Sequence, residues 1–339
     1  MKILIVRLSA FGDIIHSLPA LDDLLSRPEV EEIHWLVDQR YLFVTDIFPA
    51  KVHVHTVDLK GKRPLASAWA TIKTLRAIRF DAILDLQGLL KSSLLARISG
   101  QPVFGIDRDQ LRERVSSWLT QPVKFHAGER HVVQQYRRVA AAPFTADPRS
   151  APAEPLPYKQ PSVQLTDRMQ VAGSALTRAL KLQNNQYVIL HLGGGWKTKM
   201  LPDHTWTDLA KGVLKRGMTP VFSWGNHPEE VVAHRLEGQT DGAIMLPRRL
   251  ETDELCGFLA NARATIGADT GIQHLAAAVD TPTATFWGPS ARWRSGSLDE
   301  KHRHAEAGTV CGPCFQRNCN QFICMDQICA NDLLRILHD

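Results

Sequence analysis

Asp13 follows the short stretch Ser9-Ala10-Phe11-Gly12, where an apolar strand-like run, Ile3 to Val6, hands over to a helix-like run, Ile14 to Leu25. A lone carboxylate at such a corner has two physical uses. It can complement the positive end of the helix dipole. It can also stand at the carboxyl end of a parallel sheet, where open α/β proteins bind and act on ligands. His16 follows one turn later.

Four corners in the second half carry polar groups. In "HLGGGWKTKMLP", Gly193, Gly194 and Gly195 permit close backbone approach and expose amides, and Lys197 and Lys199 follow at once. Amides and ammonium groups together suit a diphosphate. In "SWGNHPEE", Glu229 and Glu230 fall in the first turn of a helix. One serves the dipole, and the other offers paired acceptors for the two hydroxyls of a ribose. "LPRRLETDEL" reads as helix initiation, with Thr252 as its N-cap. In "GADTGIQHLAAA", Asp269, Thr270 and Gly271 open a helix and His274 sits one turn in. Asp269 or Thr270 can act as a cap, while Gly271 bares amides at the positive end of the dipole, a ready anion site toward which His274 would point.

The first half adds "DLQGLLKS", Asp85 to Ser92, another strand end with a lysine, Lys91. Cations cluster at Lys60, Lys62 and Arg63, from Arg108 through Arg112 to Arg114, and at Arg130. Five of the six cysteines, Cys311, Cys314, Cys319, Cys324 and Cys329, crowd the last thirty residues as C-x2-C-x4-C-x4-C-x4-C. That pattern has one Cys-x-x-Cys pair where a zinc knuckle has two, so packed or redox-labile thiols are expected rather than a metal on Cys311, Cys314, Cys319 and Cys324.

These corners need strands and helices to hold them, and the chain supplies both in alternation. Strands are expected at Ile3–Leu8, Ile33–Val37, Val52–Val57, Ala82–Leu86 and Val103–Ile106, then at Tyr187–Leu192, Pro220–Ser223, Ala243–Leu246, Ala264–Ile266 and Thr283–Trp287. Helical patterns such as Ala66–Ile78, Leu89–Ile98, Leu165–Leu182, Trp206–Arg216 and Pro228–Leu236 lie between them, which is the βαβ rhythm of buried parallel sheets. The rhythm breaks at a proline-rich stretch, 142–162, read as a linker. The expected layout is an α/β chain with one Rossmann-like domain at 1–160, a second at 163–325 and a C-terminal helix at 326–339. The cleft between two such domains is the default ligand site. Neither half has Gly-x-Gly-x-x-Gly or a Walker loop, which weighs against a dehydrogenase or a P-loop NTPase.

Composition narrows the classes further. With 339 residues, 44% hydrophobic and 22% charged, the chain is of globular type. No apolar run approaches the ~20 residues that span a bilayer, and Arg7 and Asp13 interrupt the N-terminal run, so it reads as a first strand of a cytoplasmic protein rather than a signal peptide. Residues 1–150 carry 21 Lys+Arg against 16 Asp+Glu, whereas 151–339 carry 19 of each. The first half therefore meets something acidic: an anionic membrane surface, a phosphorylated small molecule or nucleic acid. Nucleic acid is set aside, because no aromatic-interleaved basic motif of a known reader occurs.

The residues Lys2-Ile3-Leu4-Ile5-Val6-Arg7 with Ser9, Gly12-Asp13 and Pro19-Ala20 resemble the signature of glycosyltransferase family 9, the ADP-heptose:lipopolysaccharide heptosyltransferases. Lys199-Met200-Leu201-Pro202, Trp224-Gly225 with Glu229, and Asp269-Thr270-Gly271 with His274 agree, in family order. Asp85 to Ser92, with Gly105, Asp107, Arg112 and Glu113, resembles the type I branch in particular. Ala10 departs from a frequent second serine, Leu201 from the tryptophan common in that branch, and the cysteine tail is reminiscent of other branches.

The resemblance implies a GT-B fold of two facing Rossmann-like domains and an inverting, metal-independent transfer with no cofactor. It implies ADP-heptose as donor on the C-terminal domain, held by Gly193, Gly194, Gly195, Lys197, Lys199, Glu229, Asp269, Thr270, Gly271 and His274. Asp13 falls on the family's proposed base, and Kdo-lipid A at the cytoplasmic face of the inner membrane is the implied acceptor. Lys60, Lys62, Arg63, Lys91, Arg112 and Arg114 are its candidate contacts, since that acceptor carries carboxylates and phosphates. Two rival readings stand beside this one: a heptosyltransferase of type II or III or another GT-B transferase or epimerase using a different nucleotide sugar, and a metal- or redox-binding module built on the cysteine tail.

Overall fold

Short runs of aliphatic and β-branched residues, buried on both faces, build two parallel sheets in the computed structural model, which describes residues 1–337. The chain divides into two units, Met1–Pro161 and Ser162 onward. In the first, β1 (Lys2–Val6), β2 (Glu32–Asp38), β3 (Val52–Val57), β4 (Ala82–Asp85), β5 (Val103–Gly105) and β6 (Gln121–Pro122) lie in the order β3-β2-β1-β4-β5-β6. Its helices are α1 (Phe11–His16), α2 (Leu18–Leu25), α3 (Pro64–Ile78), α4 (Leu90–Ile98) and α5 (Val132–Ala141).

The second unit repeats the plan. Its strands are β7 (Tyr187–His191), β8 (Thr219–Ser223), β9 (Ile244–Met245), β10 (Ala264–Ala268), β11 (Thr283–Trp287) and β12 (Arg303–Glu306), ordered β12-β11-β10-β7-β8-β9. Its helices are α6 (Asp167–Ala179), α7 (Asp203–Leu214), α8 (His227–Gln239), α9 (Thr252–Ala260), α10 (Gly271–Ala278), α11 (Arg292–Ser295) and α12 (Ala330–Leu334). Both sheets thus have the 3-2-1-4-5-6 order of a doubly wound fold. Each has a switch point, between β1 and β4 and between β7 and β10, where loops diverge and a crevice opens at the carboxyl ends.

Each unit has its own core. Leu4, Val6, Leu36, Ile83 and Val103 of the first sheet pack against Ile72 and Leu75 of α3 and Leu95 of α4. In the second, Val188, Leu190, Phe222, Ile266 and Phe286 pack against Trp206, Leu209 and Val213 of α7 and Leu333, Leu334 and Ile336 near the chain's end. Among the described residues no helix is long and apolar enough to cross a membrane.

Several expectations need correction. The run Ile14–Leu25 is two helices: Pro19 has no amide hydrogen and its ring would clash with the Ile15 carbonyl, so the chain breaks at Ser17. Phe11 and Gly12, ahead of that run, already belong to α1. Glu251, not Thr252, caps α9. The C-terminal helix expected at 326–339 is only the five-residue α12, between 3-10 turns at Met325–Gln327 and Arg335–Leu337, and residues 338–339 lie outside the described residues. It belongs to the second core. Part of the proline-rich stretch is strapped to the first unit: Gln134 Nε2 donates to the Leu156 carbonyl (2.5 Å), Arg137 Nη1 to that of Pro157 (2.7 Å), and Leu156 N–H to Glu129 Oε1 (2.8 Å).

Candidate active site

Asp13 stands in the first turn of α1, just past the carboxyl end of β1. Its Oδ2 pairs with Arg7 Nη2 at 2.6 Å, and its Oδ1 accepts from the Tyr136 hydroxyl at 3.2 Å. The Asp13 side chain keeps 37% of its surface exposed, whereas that of Arg7 keeps 5%. The Arg7 guanidinium lies 4.9 Å from the Tyr136 ring centre and donates to the Leu86 carbonyl. Burial alone would lower its pKa; Asp13 and Tyr136 oppose that, and the net direction is upward. Asp13 is therefore a solvent-reachable carboxylate aimed by a permanently charged buried guanidinium. With the Ala10 N–H also donating to Oδ2 at 3.4 Å, it has three partners for about four lone-pair positions, so Oδ1 retains acceptor capacity.

The neighbouring β4 corner is rigid. Asp85 is fully buried and takes bonds from Ser92 Oγ (3.2 Å), Ser93 Oγ (2.5 Å), Gln87 N–H (3.0 Å) and Gly88 N–H (3.2 Å). Burial raises its pKa despite these bonds. Gln87 reaches across to β1's exit, its Oε1 accepting from Leu8 N–H (2.8 Å) and Ser9 N–H (3.2 Å). Asp85 thus holds the loop, and Lys91 rides at the start of α4.

All six acceptor candidates are exposed and follow carboxyl ends of the same parallel sheet: Lys60, Lys62 and Arg63 after β3, Lys91 after β4, Arg112 and Arg114 after β5. With neighbouring strands about 4.8 Å apart, they flank the β1 corner on both sides. Asp58 Oδ1 shapes the first loop by accepting from Lys60 N–H (3.1 Å) and Gly61 N–H (2.7 Å). Glu113, between the two arginines, accepts from Leu90 N–H at 2.8 Å and so ties their loop to α4.

In the second unit the switch point brings the glycine–lysine corner of β7 against the Asp269 corner of β10. Lys199 Nζ donates to the Asp269 carbonyl and to Asp269 Oδ2, both at 2.8 Å, and His274 Nε2 lies 3.0 Å from Asp269 Oδ1. The Lys199 and Asp269 side chains keep only 9% and 13% of their surface. Burial alone would raise the Asp269 carboxyl, but the His274 hydrogen bond and the Lys199 charge outweigh it and hold Asp269 well below the ordinary carboxylate range. Thr270 precedes α10 without making a side-chain cap bond, and its buried hydroxyl has no hydrogen-bond partner. A helix N-terminus, an orphan hydroxyl and an ammonium group thus lie at one corner.

Glu229 is buried in the first turn of α8. Its backbone N–H is capped by Asn226 Oδ1 (3.1 Å), and its Oε2 accepts from Gly225 N–H (2.8 Å). Glu230 instead pairs outward with His227 at 3.1 Å. Lys197 also points outward: in the 3-10 turn Lys197–Lys199 it is exposed, so of the two lysines only Lys199 joins the corner. His191 sits behind the glycines with Nδ1 2.9 Å from Ser223 Oγ, and burial lowers its pKa to about 4, so it adds no positive charge at neutral pH.

Sequence reasoning missed several participants. Arg7 was visible as a cation breaking an apolar strand, but nothing local ties it to Asp13. Tyr136 comes from α5, 123 residues away. Trp196 carries Lys199 Nζ 4.5 Å and Arg317 5.1 Å from its ring centre, and Thr198 Oγ1 donates to the Gln316 carbonyl at 2.7 Å. The cysteine-rich segment therefore reaches the glycine–lysine corner. Its thiols are unbridged, with Cys311 and Cys319 exposed and Cys314 and Cys324 half-buried. Among the described residues the group with metal-ligand geometry lies elsewhere, in β2 and β3. The chain's Asp-x-Asp, Asp107-Arg108-Asp109, is held by Lys124 Nζ at 3.1 Å and 2.8 Å.

Gly193 shows how tightly the corner is built. A Cβ there would lie 2.5 Å from His191 Nε2 and 3.1 Å from Glu229 Oε2, both on buried side chains held by hydrogen bonds. Gly193→Ala is expected to cost about 1–3 kcal/mol, read as a lower urea midpoint at unchanged slope; an unshifted midpoint would show that the corner yields.

Comparison with known proteins agrees with this geometry. The model of glycosyltransferase family 9 (heptosyltransferase) matches residues 68–322. Lipopolysaccharide heptosyltransferase 1 of Pseudomonas aeruginosa is 31% identical over 329 residues, 94% of this chain and 87% of that protein. The Escherichia coli K12 protein of the same description is 28% identical over 301 residues, covering 86% and 88%. The structure of E. coli heptosyltransferase WaaC with ADP superposes with a TM-score of 0.76 at 24% identity, covering 100% of this chain and 99% of that one. E. coli ADP-heptose lps heptosyltransferase II gives 0.76 at 19% identity, covering 100% and 98%. These structures speak for the fold, a GT-B pair of Rossmann-like units, while the sequence matches, nearly full length, speak for descent. The chain belongs to glycosyltransferase family 9, with its strongest resemblance to heptosyltransferase I, and it is a glycosyltransferase.

Proposed function

We propose that this enzyme transfers a heptose, with inversion and without a metal or other cofactor, from ADP-L-glycero-D-manno-heptose to a Kdo residue of Kdo-lipid A in the lipopolysaccharide inner core. The observation that carries the donor half is the buried corner of Lys199, Thr270 and the start of α10, which offers a diphosphate three kinds of hydrogen-bond donor. Lys199 spends two N–H groups on Asp269; the third serves a phosphate oxygen. With Lys199 and Asp269 neutralising each other, the remaining attraction for an anion comes from the α10 dipole, the amides of Gly193, Gly194, Gly195 and Gly271, and Arg317. Glu229, next to Gly193, takes the ribose hydroxyls.

The acceptor hydroxyl oxygen attacks the anomeric carbon from the face opposite the diphosphate. Its proton passes to the Asp13 carboxylate. The anomeric carbon–oxygen bond breaks and ADP leaves with the electron pair, its new charge taken up by groups already oriented toward it. Arg7 and Tyr136 keep the Asp13 carboxylate aimed during that step.

The enzyme works at the cytoplasmic face of the inner membrane, held there peripherally. Residues 59–80 hold six Lys/Arg and no Asp/Glu, and between these cations Leu65 and Trp69 stand exposed on α3, with Val115 and Trp118 after β5. Trp69 and Trp118 keep 66% and 77% of their surface. Bare indoles among cations suit an anionic lipid interface.

The test incubates the protein with ADP-heptose and lipid A bearing one or two Kdo units in anionic vesicles. A product heavier by one heptose, and protein that sediments with the vesicles, are expected. Tighter calorimetric binding of UDP than of ADP, or no mass gain, would overturn the assignment.

A further inference from the structure

The amino end of the first sheet carries a second cluster that the transfer does not use. Glu32 and His34 alternate on β2, and His53 and His55 alternate on β3. The parallel register sets His34 opposite His53. Side chains two apart share a face, so one carboxylate and three imidazoles form a two-by-two array on a single face of the sheet. His34 stacks on His53 with ring centres 4.7 Å apart and on His55 at 5.2 Å, and Phe80 closes over His34 edge-on at 5.1 Å.

Three of these groups point their ligand atoms at one another. A carboxylate oxygen of Glu32, a ring nitrogen of His34 and one of His53 all lie within 4.8 Å of each other. Glu32 Oε2 is 3.2 Å from His34 Nε2. Two ligands bound at about 2.1 Å and subtending 90–109° at a zinc ion lie about 3.0–3.4 Å apart, so this pair needs almost no movement to share an ion. The second tier is also in place. His34 Nδ1 lies 2.9 Å from His55 Nε2, so with the proton on Nδ1 donated to His55, His34 Nε2 is available to bind an ion in place of its contact with Glu32. Lys2 Nζ holds the other Glu32 oxygen at 2.8 Å and turns Oε2 inward.

We propose that Glu32, His34 and His53 bind a divalent transition-metal ion of the zinc type, with His55 as the positioning residue for His34. Two imidazoles and one carboxylate are a borderline donor set that suits zinc, cobalt or nickel and leaves positions for water. The site lies about 13 Å along β2 from the carboxyl edge, counting four residues from His34 to Asp38 at about 3.3 Å each. It pins the edge strand β3 to β2 and takes no part in the transfer.

The test titrates cobalt(II) into chelator-treated full-length protein whose thiols have been alkylated, which removes the cysteine tail as a competitor. One equivalent is expected to bind with the visible bands of nitrogen and oxygen ligation. His53→Ala, an exposed position that should not disturb folding, is expected to weaken binding at least tenfold, and His55→Ala about tenfold through His34. Zinc should raise the melting temperature of the wild type and not of His53→Ala. Cobalt bands of thiolate type that vanish on alkylation, binding unchanged in His53→Ala, or no uptake at micromolar cobalt would each overturn the proposal. None of these readouts depends on sugar transfer.

Discussion

Asp13→Asn lowers the rate of heptose transfer by at least 10²–10⁴-fold, the range a positioned general base supplies, while the calorimetric affinity for ADP stays within about twofold. The amide keeps the shape of the carboxylate: its oxygen accepts from Arg7 and its NH2 group donates to the Tyr136 hydroxyl oxygen, so the corner keeps its geometry; what it loses is the capacity to take a proton. Arg7, almost wholly buried, then lacks its counter-charge. Because Asp13 is more than one-third exposed, water screens part of that loss. A modest fall in melting temperature is therefore expected beside a near-complete loss of turnover. Turnover at the wild-type rate in this variant would remove Asp13 from the role of base and leave it as Arg7's partner only.

Lys199→Ala has two effects with one cause. Its ammonium group is proposed to serve the diphosphate, so the ADP dissociation constant rises at least tenfold. It also holds Asp269 in a nearly buried pair, and breaking such a pair costs about 3–5 kcal/mol, with His274 left to keep the loss toward the lower end. The acid side reports on the same pair. Asp269's folded pKa lies below its unfolded value of about 3.9, so its stabilisation is fully present above that value and is lost as pH falls through the folded one. Lys199→Ala should therefore flatten the wild type's loss of stability below about pH 4, since less stabilisation remains to be titrated. Thermal melts across pH 2–7 with calorimetry for ADP separate the two roles. Lower stability with unchanged ADP affinity would make Lys199 a structural strut and move the phosphate site elsewhere.

The cysteine tail illustrates how local spacing and tertiary placement divide the work. Its C-x2-C-x4-C-x4-C-x4-C spacing reads as packed or redox-labile thiols, and the structure adds what spacing does not show: Cys324 packs against the second core, the Gln316 carbonyl takes the Thr198 hydroxyl, and Arg317 lies over Trp196. The β2–β3 histidines carry no spacing pattern that joins them into one ligand set, since Glu32 and His34 are separated from His53 and His55 by the rest of β2 and the 3-10 connection Gln39–Ile47. Only strand register makes them neighbours.

What the sequence determined by itself is everything set by local periodicity and corner chemistry. The two βαβ halves, the acid after β1, the glycine–lysine corner after β7 and the Asp269–His274 helix start follow from the alternation of apolar runs with Gly, Asp and Lys at their carboxyl ends. What only the tertiary structure decided is which of these corners touch. The 3-2-1-4-5-6 strand order sets β7 beside β10, and that places Lys199 on Asp269, seventy residues on. Likewise α5 brings Tyr136 to Asp13, and Lys197 is turned out to solvent while Lys199 is turned in. The physical reason is that periodicity is encoded by neighbours three or four residues apart, whereas partners across a sheet are selected by the packing of whole layers, whose free energy is spread over dozens of buried side chains and written at no single position.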